Sequence, residues 1–224
     1  MNNLLSVEFH CHTEFSKDCL VPVRDLVETA RRVGLNRLVI TDHNTIRGAL
    51  MGKDVDPELV IVGEEILTTQ GELLACFVKD EIPKYLEPLE AIARLREQGA
   101  FISVSHPFDR RRHGWRLADL ERITPLVDAV EVFNSRCQVN LLNVQAQAYA
   151  EKHGLAGTVG SDAHTLREVG RSRLELEAFE SAEELREGIR RGRARTQLSS
   201  PFIHLTSTYA RMVKEMRRRR ENSS

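Results

Sequence analysis

The sequence predicts an α/β protein built on a parallel sheet or barrel, and three observations lead to this fold class. Short β-branched runs alternate with amphipathic segments, as in folds whose strands are joined by helices. Three of the amphipathic segments end in a glycine that immediately precedes an apolar run. Polar residues of metal-binding type follow most of the apolar runs. Because parallel folds gather the carboxyl ends of their strands on one rim, these residues indicate a functional site there.

Seven apolar runs are predicted to be strands. They are Leu4 to His10, Arg37 to Thr41, Leu59 to Glu65, Leu73 to Val78, Phe101 to Ser105, Ala129 to Phe133 and Leu155 to Gly160. The third and fourth runs flank the segment Thr68-Thr69-Gln70-Gly71 without an intervening helix. This short connection predicts a hairpin or a short crossover, whereas helices are predicted between most of the other strands.

Proline and glycine indicate the helix boundaries. The first helix is predicted to start at Pro22, because proline suits the first helical position, and to stop at Gly34. Its apolar residues fall on one face and are Val23, Leu26, Val27, Ala30 and Val33. Gly99 and Gly154 end two similar segments, so we expect three helix-to-strand returns with a left-handed glycine cap.

Length and composition favour one globular domain with a short extension. The 224 residues are enough for one sizeable core, and 41% of them are hydrophobic and 29% charged. We expect residues 1–200 to form a barrel domain and residues 201–224 to form a C-terminal helical extension. The formal net charge of −1 indicates no bulk electrostatic partner, so any binding of anions must be local.

The extension carries a basic run, Arg217 to Arg220, at the end of a predicted helix that begins at Leu205. A solvated helix end is the preferred interpretation, and an RNA- or acid-facing tail is the alternative. Ahead of this extension, Ser181 to Glu184 has the spacing of a capping box and predicts a helix that reaches about Arg191.

The N-terminal sequence and the cysteines bear on the cellular location. Met1 to Glu8 lacks a basic n-region and a long apolar h-region, and no later run approaches the roughly 18 apolar residues that span a membrane. We therefore expect a cytoplasmic protein with no membrane partner. The four cysteines have no C-x-x-C spacing and are predicted to be buried free thiols. Cys11 lies between two histidines of a strand and should face away from them.

The first predicted strand leads into the segment Phe9-His10-Cys11-His12-Thr13. Successive side chains of a strand alternate between faces, so His10 and His12 point the same way and can reach one ion. Imidazole suits zinc, iron and other borderline metals. Further polar residues follow the later strands at Asp42, His43, Glu64, Glu65, His106, Asn134, Asp162 and His164.

Four segments together give the sequence a family resemblance. They are Phe9-His10-Cys11-His12-Thr13, Ile40-Thr41-Asp42-His43-Asn44, Ser105-His106-Pro107 and Gly160-Ser161-Asp162-Ala163-His164-Thr165. With them the chain resembles, from about Leu4 to Leu198, the PHP (polymerase and histidinol phosphatase) family of metal-dependent phosphoesterases. The resemblance implies a distorted seven-stranded (β/α)7 TIM-like barrel. It also implies two or three divalent ions, of zinc, manganese or iron, at the carboxyl ends of the strands.

A ligand set follows from the same resemblance. It assigns His10, His12 and Asp162 to a first metal, Glu65 to a bridge between the first and second, and His106 to the second. It assigns Asp18, His43 and His164 to a third metal. Glu72 stands near a place where many relatives carry a histidine, and two interpretations stay open there: a ligand or a solvated turn carboxylate.

Other polar residues near these motifs are expected to support a ligand from outside or to have no part in metal binding. Asp42 is expected to be an outer acceptor that fixes an imidazole. Glu64 is expected on the opposite face of its strand from Glu65, as a surface or loop carboxylate. The remaining histidines, His113, His153 and His204, have no motif around them and are interpreted as ordinary.

The ligands indicate hydrolysis of a phosphomonoester by metal-activated water, with His43, His164 and Arg136 as candidate catalytic residues. Arg136 follows a rim-facing strand end, where its guanidinium could grip two phosphate oxygens, and Asn134 could position it or the substrate. Arg171 is a further candidate for phosphate binding.

Two arginine-containing segments are further candidates for binding an anionic group. Arg171 with Arg173, and the run Arg110 to Arg112, could hold a second phosphate or a polynucleotide backbone. A solvated loop is the preferred interpretation of each segment.

The expected substrate is a nucleotide, a bisphosphonucleotide, a short oligonucleotide or a small phosphorylated metabolite, and no stable protein partner is expected. One alternative is a histidinol-phosphate phosphatase, although those enzymes are usually longer. A second is a non-catalytic, metal-binding regulatory module. The intact ligand set argues against that module, because degeneration should have removed some of these residues.

Overall fold

The computed structural model describes residues 4–221, which form a nine-stranded sheet with helices around it. The strands are β1 (Leu5–Cys11), β2 (Arg37–Ile40), β3 (Val60–Leu67), β4 (Glu72–Cys76), β5 (Phe101–Val104), β6 (Ala129–Asn134), β7 (Ala156–Gly160), β8 (Arg173–Leu176) and β9 (Arg193–Arg195). Their order across the sheet is β7-β6-β5-β4-β3-β2-β1-β8-β9. All seven predicted strands are confirmed. The predicted count of seven is not confirmed, because β8 and β9 extend the sheet to nine strands.

The sheet curls into a nearly closed barrel. Beyond β7, the backbone N–H of His12 donates to the carbonyl of Ala163 at 2.9 Å, and Cys11 and Ala163 form a parallel bridge. The carboxyl end of β1 therefore lies beside the segment that follows β7. This closure brings the first and last of the predicted ligand motifs to one mouth.

Parallel pairing dominates the barrel, with one antiparallel insertion. β1, β2 and β3 pair in parallel, as do β5, β6 and β7, whereas β4 is antiparallel to both β3 and β5. The hairpin interpretation of the β3–β4 connection is confirmed. β8 and β9 are short, antiparallel and rich in arginine and glutamate, so they lack the apolar runs from which the other strands were predicted.

Seven α-helices accompany the sheet within residues 4–221. They are α1 (Val23–Arg32), α2 (Arg47–Val55), α3 (Pro88–Glu97), α4 (Leu117–Ile123), α5 (Leu141–His153), α6 (Ala182–Gly188) and α7 (Ile203–Glu221). The left-handed glycine caps are confirmed at Gly34, Gly99 and Gly154, with φ of +82°, +76° and +63°. Ser181 caps α6 by accepting from the backbone N–H of Glu184, and a 3₁₀ turn continues this helix to Arg191. α7 forms where a helix was predicted from Leu205 onward.

Three apolar clusters form the core. One packs α3, α4 and α5 on the strands from β3 to β6, and another packs α1 and α2 on β1 and β2. The third draws side chains from all seven strands between β1 and β7 and from α6. Since side chains of seven strands can meet only inside the curved sheet, this cluster fills the barrel interior. The polar side chains then lie at the carboxyl ends of the strands.

The cysteines are four buried free thiols, as predicted. The Cys11 thiol lies 3.2 Å from the carbonyl oxygen of Val39, on the apolar side of β1 away from the histidines. Within residues 4–221 no helix has both the length and the apolar character needed to cross a bilayer. The remaining residues, 1–3 and 222–224, belong to the two predicted domain ranges but lie outside the described part of the chain.

We expect the substitution Gly71→Ala to destabilise the fold. A Cβ atom at Gly71, in the turn between β3 and β4, would lie 2.3 Å from Cε2 of the buried Trp115 ring. Overpacking of this kind costs about 1–3 kcal/mol, which urea denaturation monitored by circular dichroism measures. The matched control is Gly188→Ala at the end of α6, where the nearest atom lies 4.0 Å from the new Cβ. Equal stability of the two variants would contradict this account of the turn.

Candidate metal centre

β1 places its two histidines together. The rings of His10 and His12 are fully buried, and their Nε2 atoms lie 3.1 Å apart. The alternation argument for one shared face is therefore confirmed by the geometry. Since an Nε2–Nε2 distance this short suits two ligands of one ion, the pair forms the first part of the site.

Glu65, at the carboxyl end of β3, lies at the centre of the histidines. Its Oε2 is 3.4 Å from Nε2 of His10 and from Nε2 of His12, and 3.0 Å from Nδ1 of His43. Its Oε1 is 3.2 Å from Nε2 of His106. One carboxylate thus contacts four imidazoles from three segments of the chain, as a bridging ligand would.

Asp162 approaches the first pair from the loop after β7. Its Oδ1 lies 3.6 Å from Nε2 of His10 and 3.2 Å from Nε2 of His12. The residue has φ of +53°, a left-handed conformation that aspartate tolerates better than most residues. The three ligands assigned to the first metal are therefore together.

Asp18 and His164 form the other side of the cluster. Oδ1 of Asp18 lies 3.4 Å from Nε2 of His43 and 3.4 Å from Nε2 of His164. This oxygen is buried and has no hydrogen-bond partner among the described residues. The rings of His12 and His164 are also close, with centroids 4.3 Å apart.

Glu72 belongs to the cluster and is not a solvated turn residue. It is buried at the start of β4, and its Oε2 lies 3.5 Å from Nε2 of His106. Burial and the charge of Glu65 raise the pKa of Glu72 to about 7. β4 is antiparallel to its neighbours, so its first residue reaches the rim that the carboxyl ends of the other strands form.

The charges of the cluster compensate one another. Burial alone would lower the pKa of His10, but the carboxylates of Glu65, Asp162 and Glu131 raise it well above its usual value. Burial would likewise raise the pKa of Glu65, but His10 and His43 hold it well below its usual range. The pKa of Asp162 is lowered for the same reason, mainly by His10 against the effect of burial. The carboxylates of Glu65 and Asp162 are therefore anionic.

The donor set fits divalent metal ions. Three groups of nitrogen and oxygen donors converge within 4.8 Å, namely His10 with His12 and Asp162, His12 with His43 and His164, and His43 with Glu65 and Glu72. Buried donor atoms without a hydrogen-bond partner in the described chain include Oδ1 of Asp18 and Nδ1 of His106. Mixed imidazole and carboxylate donors suit zinc, manganese and iron. The assignment of each residue to a particular ion stays a prediction.

Glu131 supports the cluster from β6, and sequence analysis missed it. Its Oε1 lies 2.9 Å from Nδ1 of His10, and its Oε2 accepts from the backbone N–H of His106 at 2.9 Å and from Nδ2 of Asn134 at 3.1 Å. Such outer partners fix the orientation of ligating imidazoles. The available signal was a carboxylate in the middle of an otherwise apolar strand.

Asp42 has the outer role that was expected of it, through a hydroxyl. Oδ1 of Asp42 accepts from Ser16 Oγ at 2.6 Å, and Ser16 Oγ lies 3.0 Å from Nδ1 of His12. The same carboxylate accepts from the backbone N–H of Thr13 at 2.7 Å. Glu64, by contrast, was wrongly expected at the surface. It is fully buried on the other face of β3, where burial raises its pKa to about 8.

Arg112 lies in the site, so the solvated-loop interpretation of Arg110 to Arg112 is wrong for this residue. Its guanidinium hydrogen-bonds to Oδ2 of Asp162 and donates to Oδ2 of Asp109 at 2.9 Å and to Oδ1 of Asn134 at 3.2 Å. Arg112 thus occupies the outer oxygen of Asp162 and leaves Oδ1 facing His10 and His12.

The predicted phosphate-binding residues take different positions. Arg136 lines the cavity, but its Nη2 donates to Ser207 Oγ at 2.9 Å and to the carbonyl of Ile203 at 3.2 Å. Asn134 is fully buried behind Asp162 and accepts the backbone N–H of Arg136 at 2.9 Å. Arg171 is not brought to the site: it donates to backbone carbonyls, and among described residues it is absent from the cavity wall.

The cluster forms the floor of a cavity of about 640 Å³. Six cationic side chains also line the cavity and are called the basic wall: Lys17, Arg110, Arg111, Arg112, Arg136 and Arg211. Phe108, Val139 and Leu142 add an apolar side, and α7 contributes His204, Ser207, Thr208 and Arg211. His113 and His204, which were interpreted as ordinary, both line this cavity. The C-terminal helix is therefore a wall of the site.

Two family models match the chain. The model described as PHP domain matches residues 8–103, and the model described as PHP-associated matches residues 140–194. Among curated proteins, the uncharacterized protein MJ0417 of Methanocaldococcus jannaschii is 38% identical over 176 residues, covering 77% of this chain and 70% of that protein. The uncharacterized protein MJ1587 of the same organism is 33% identical over 154 residues, covering 62% of this chain and 87% of that protein.

Solved structures share the fold at lower identity. PsfC from Pseudomonas syringae superimposes with a TM-score of 0.70 at 21% identity, covering 94% of this chain and 99% of that one. A two-domain Bacteroides vulgatus protein that contains a predicted PHP-like metal-dependent phosphoesterase gives a TM-score of 0.69 at 21% identity, covering 87% of this chain. This chain spans only 65% of the length of that protein. The lesion-specific endonuclease PfuEndoQ from Pyrococcus furiosus superimposes with a TM-score of 0.59 at 15% identity, covering 85% of this chain and 57% of that one.

We expect Glu131→Gln to weaken metal binding by about 10- to 100-fold, as loss of an outer partner of a ligand does. The amide can still accept from His10, but its NH₂ group would face the N–H donors of His106 and Asn134. Equilibrium dialysis with Mn²⁺ or Zn²⁺ measures the change. Glu28→Gln, on the exposed face of α1, is the matched control and should leave affinity unchanged. Equal affinity in both variants would remove the role assigned to Glu131.

Proposed function

The chain belongs to the PHP domain family, and we propose that it is a metal-dependent phosphoesterase that hydrolyses a phosphomonoester by attack of water. One observation carries the proposal: imidazoles and carboxylates from six segments of the chain converge on one cavity floor, with buried donor atoms left unpaired. Divalent ions bound there would lower the pKa of water and neutralise charge on a phosphate. His10, His12, Asp162, Glu65, His106, Glu72, Asp18, His43 and His164 would hold them.

The chain's own cations then orient the substrate. Arg112 and Arg136 lie on the cavity wall just above the carboxylate floor, where a guanidinium can donate to phosphate oxygens. Arg136 is buried and held against α7 by Ser207, so its orientation is fixed before substrate binds. We keep His43, His164 and Arg136 as the candidate catalytic residues, because all three line this cavity.

The cavity favours a small, highly charged substrate. Its floor is buried and α7 closes one side, which suits the phosphorylated end of a nucleotide, bisphosphonucleotide, short oligonucleotide or small metabolite. The basic wall provides charge for a second anionic group beyond the reacting phosphate. The apolar patch at Phe108, Val139 and Leu142 provides a surface for an uncharged part of the same molecule.

The two alternatives have less support. A regulatory module would need no complete ligand set, yet Asp18, His43, Glu65, His106, Asp162 and His164 line the cavity. His10 and His12 contact Glu65 and Asp162 from behind this lining, which supports an intact set. Histidinol phosphate carries an amine and an imidazole. A wall of arginines and lysine attracts anions and disfavours a cationic amine, so this wall does not favour that substrate.

The central test is chelation and metal restoration. The purified protein should release phosphate from 4-nitrophenyl phosphate, lose this activity with a chelator, and regain it with Mn²⁺, Zn²⁺ or Fe²⁺. His12→Ala should reduce the activity to background with every ion, because His12 belongs to two of the three donor groups.

The control for this variant is His153→Ala. His153 packs on the Tyr149 ring outside the cavity, with centroids 4.2 Å apart, so its loss should leave phosphate release intact. If the protein shows no metal-restored activity on any phosphomonoester, or if His12→Ala remains fully active, the proposed function is wrong.

We expect Arg111, on the exposed part of the basic wall, to act on substrate affinity and not on the chemical step. Arg111→Ala should raise KM for a nucleoside 3′,5′-bisphosphate about fivefold, since a solvent-exposed charge contact is worth about 1 kcal/mol. The kcat should change little, and KM for the nucleoside 5′-monophosphate should change less than KM for the bisphosphate. Arg24→Ala on the exposed face of α1 controls for net charge. A selective fall in kcat would place Arg111 at the reacting phosphate instead.

A further inference from the structure

We infer that Arg211 of α7 is a positioning residue for Asp18, so that the C-terminal helix completes the metal centre that the barrel provides. This inference rests on the proposed metal-binding function. It extends that function to a helix that sequence analysis treated as an extension outside the domain. The argument depends on the two oxygens of one carboxylate and on how α7 is held to the barrel.

The two oxygens of Asp18 face different partners. Oδ2 accepts from Nη2 of Arg211 at 2.8 Å, whereas Oδ1 lies 3.4 Å from the Nε2 atoms of both His43 and His164. Oδ1 is buried and has no hydrogen-bond partner within the described residues. The guanidinium therefore fixes the plane of the carboxylate with its free oxygen toward the two imidazoles.

α7 is anchored on the same loop that carries Asp18. Lys214, one turn after Arg211, hydrogen-bonds to the backbone carbonyls of Glu14 and Ser16. Arg211 and Lys214 thus hold the loop between β1 and α1 on both sides of Lys17. At the start of α7, Arg136 donates to Ser207 Oγ at 2.9 Å. These polar contacts set the position of Arg211 relative to the cluster.

Two opposite effects of Arg211 on a bound dication must be weighed. Its positive charge repels a dication and would weaken binding. Its hydrogen bond orients a ligand and strengthens binding, and loss of such a partner costs about 10- to 100-fold in affinity. The Arg211 side chain is 59% exposed, so solvent screens its field, while the side chain of Asp18 is only 4% exposed. We therefore expect orientation to dominate, at the lower end of that range.

The experiment is Mn²⁺ binding to the full chain, measured by equilibrium dialysis with metal analysis. In Arg211→Gln, one of the bound ions should bind about tenfold more weakly, and the others should keep their affinity. Arg211→Lys should recover part of the loss, because lysine keeps the charge but not the planar fork. Arg218→Gln, an exposed arginine of the same helix, removes an equal charge and should bind all ions as the unaltered protein does.

A double substitution separates positioning from a general effect on the fold. If Arg211 acts through Asp18, adding Arg211→Gln to Asp18→Ala should cause no further loss of Mn²⁺ affinity. The inference is overturned if the losses of Mn²⁺ affinity in Asp18→Ala and Arg211→Gln are fully additive. It is also overturned if Arg211→Gln binds Mn²⁺ as tightly as Arg218→Gln does, or more tightly than the unaltered protein. Binding of only two ions by the unaltered chain would overturn it as well. In all these cases metal-restored phosphate release by the unaltered protein would still support the proposed function.

Discussion

The burial of one carboxylate, Glu65, is the constraint on which the site depends. An unpaired carboxylate in a protein interior costs several kcal/mol, so Glu65 can be buried only if positive or hydrogen-bonding partners surround it. Histidines 10, 12, 43 and 106 meet this requirement from three separate segments. The barrel brings these segments together, because each of them lies at the carboxyl end of a different strand.

A second layer of side chains keeps the ligands oriented with their inner atoms free. Arg112 and Arg211 each occupy the outer oxygen of a carboxylate, on Asp162 and Asp18 respectively. Glu131 and Ser16 occupy the outer nitrogens of His10 and His12. The arrangement is the same on imidazoles and carboxylates, and it directs the remaining donor atoms toward the centre. Substitutions at these outer positions should therefore act on metal affinity before they act on the fold.

Local rules were sufficient to predict part of the fold and of the site. Strand alternation placed His10 and His12 on one face, glycine caps marked three helix ends, and family resemblance identified residues that do converge. Roles that depend on tertiary contacts could not be predicted. β8 and β9 lack an apolar run, and nothing around Arg112 or Arg211 in the sequence indicates that each pairs with a distant aspartate. Arg171 shows the converse: it follows a ligand motif in the sequence, but in the fold its guanidinium donates to the backbone carbonyl of Arg167 and not into the site.

The separation of charge within the cavity would link metal binding to anion binding. The floor carries anionic carboxylates and the wall carries six lysine and arginine side chains, although the net charge of the chain is only −1. Arg112 pairs with Asp162, and the carboxylates of the floor would repel an incoming phosphate. Cations on the floor would neutralise those carboxylates, so the positive potential of the wall would no longer be offset and could attract the phosphate. By reciprocity, an anion held by the wall must then strengthen cation binding to the floor by the same factor. The candidate metal centre and the basic wall would thus act as a single site.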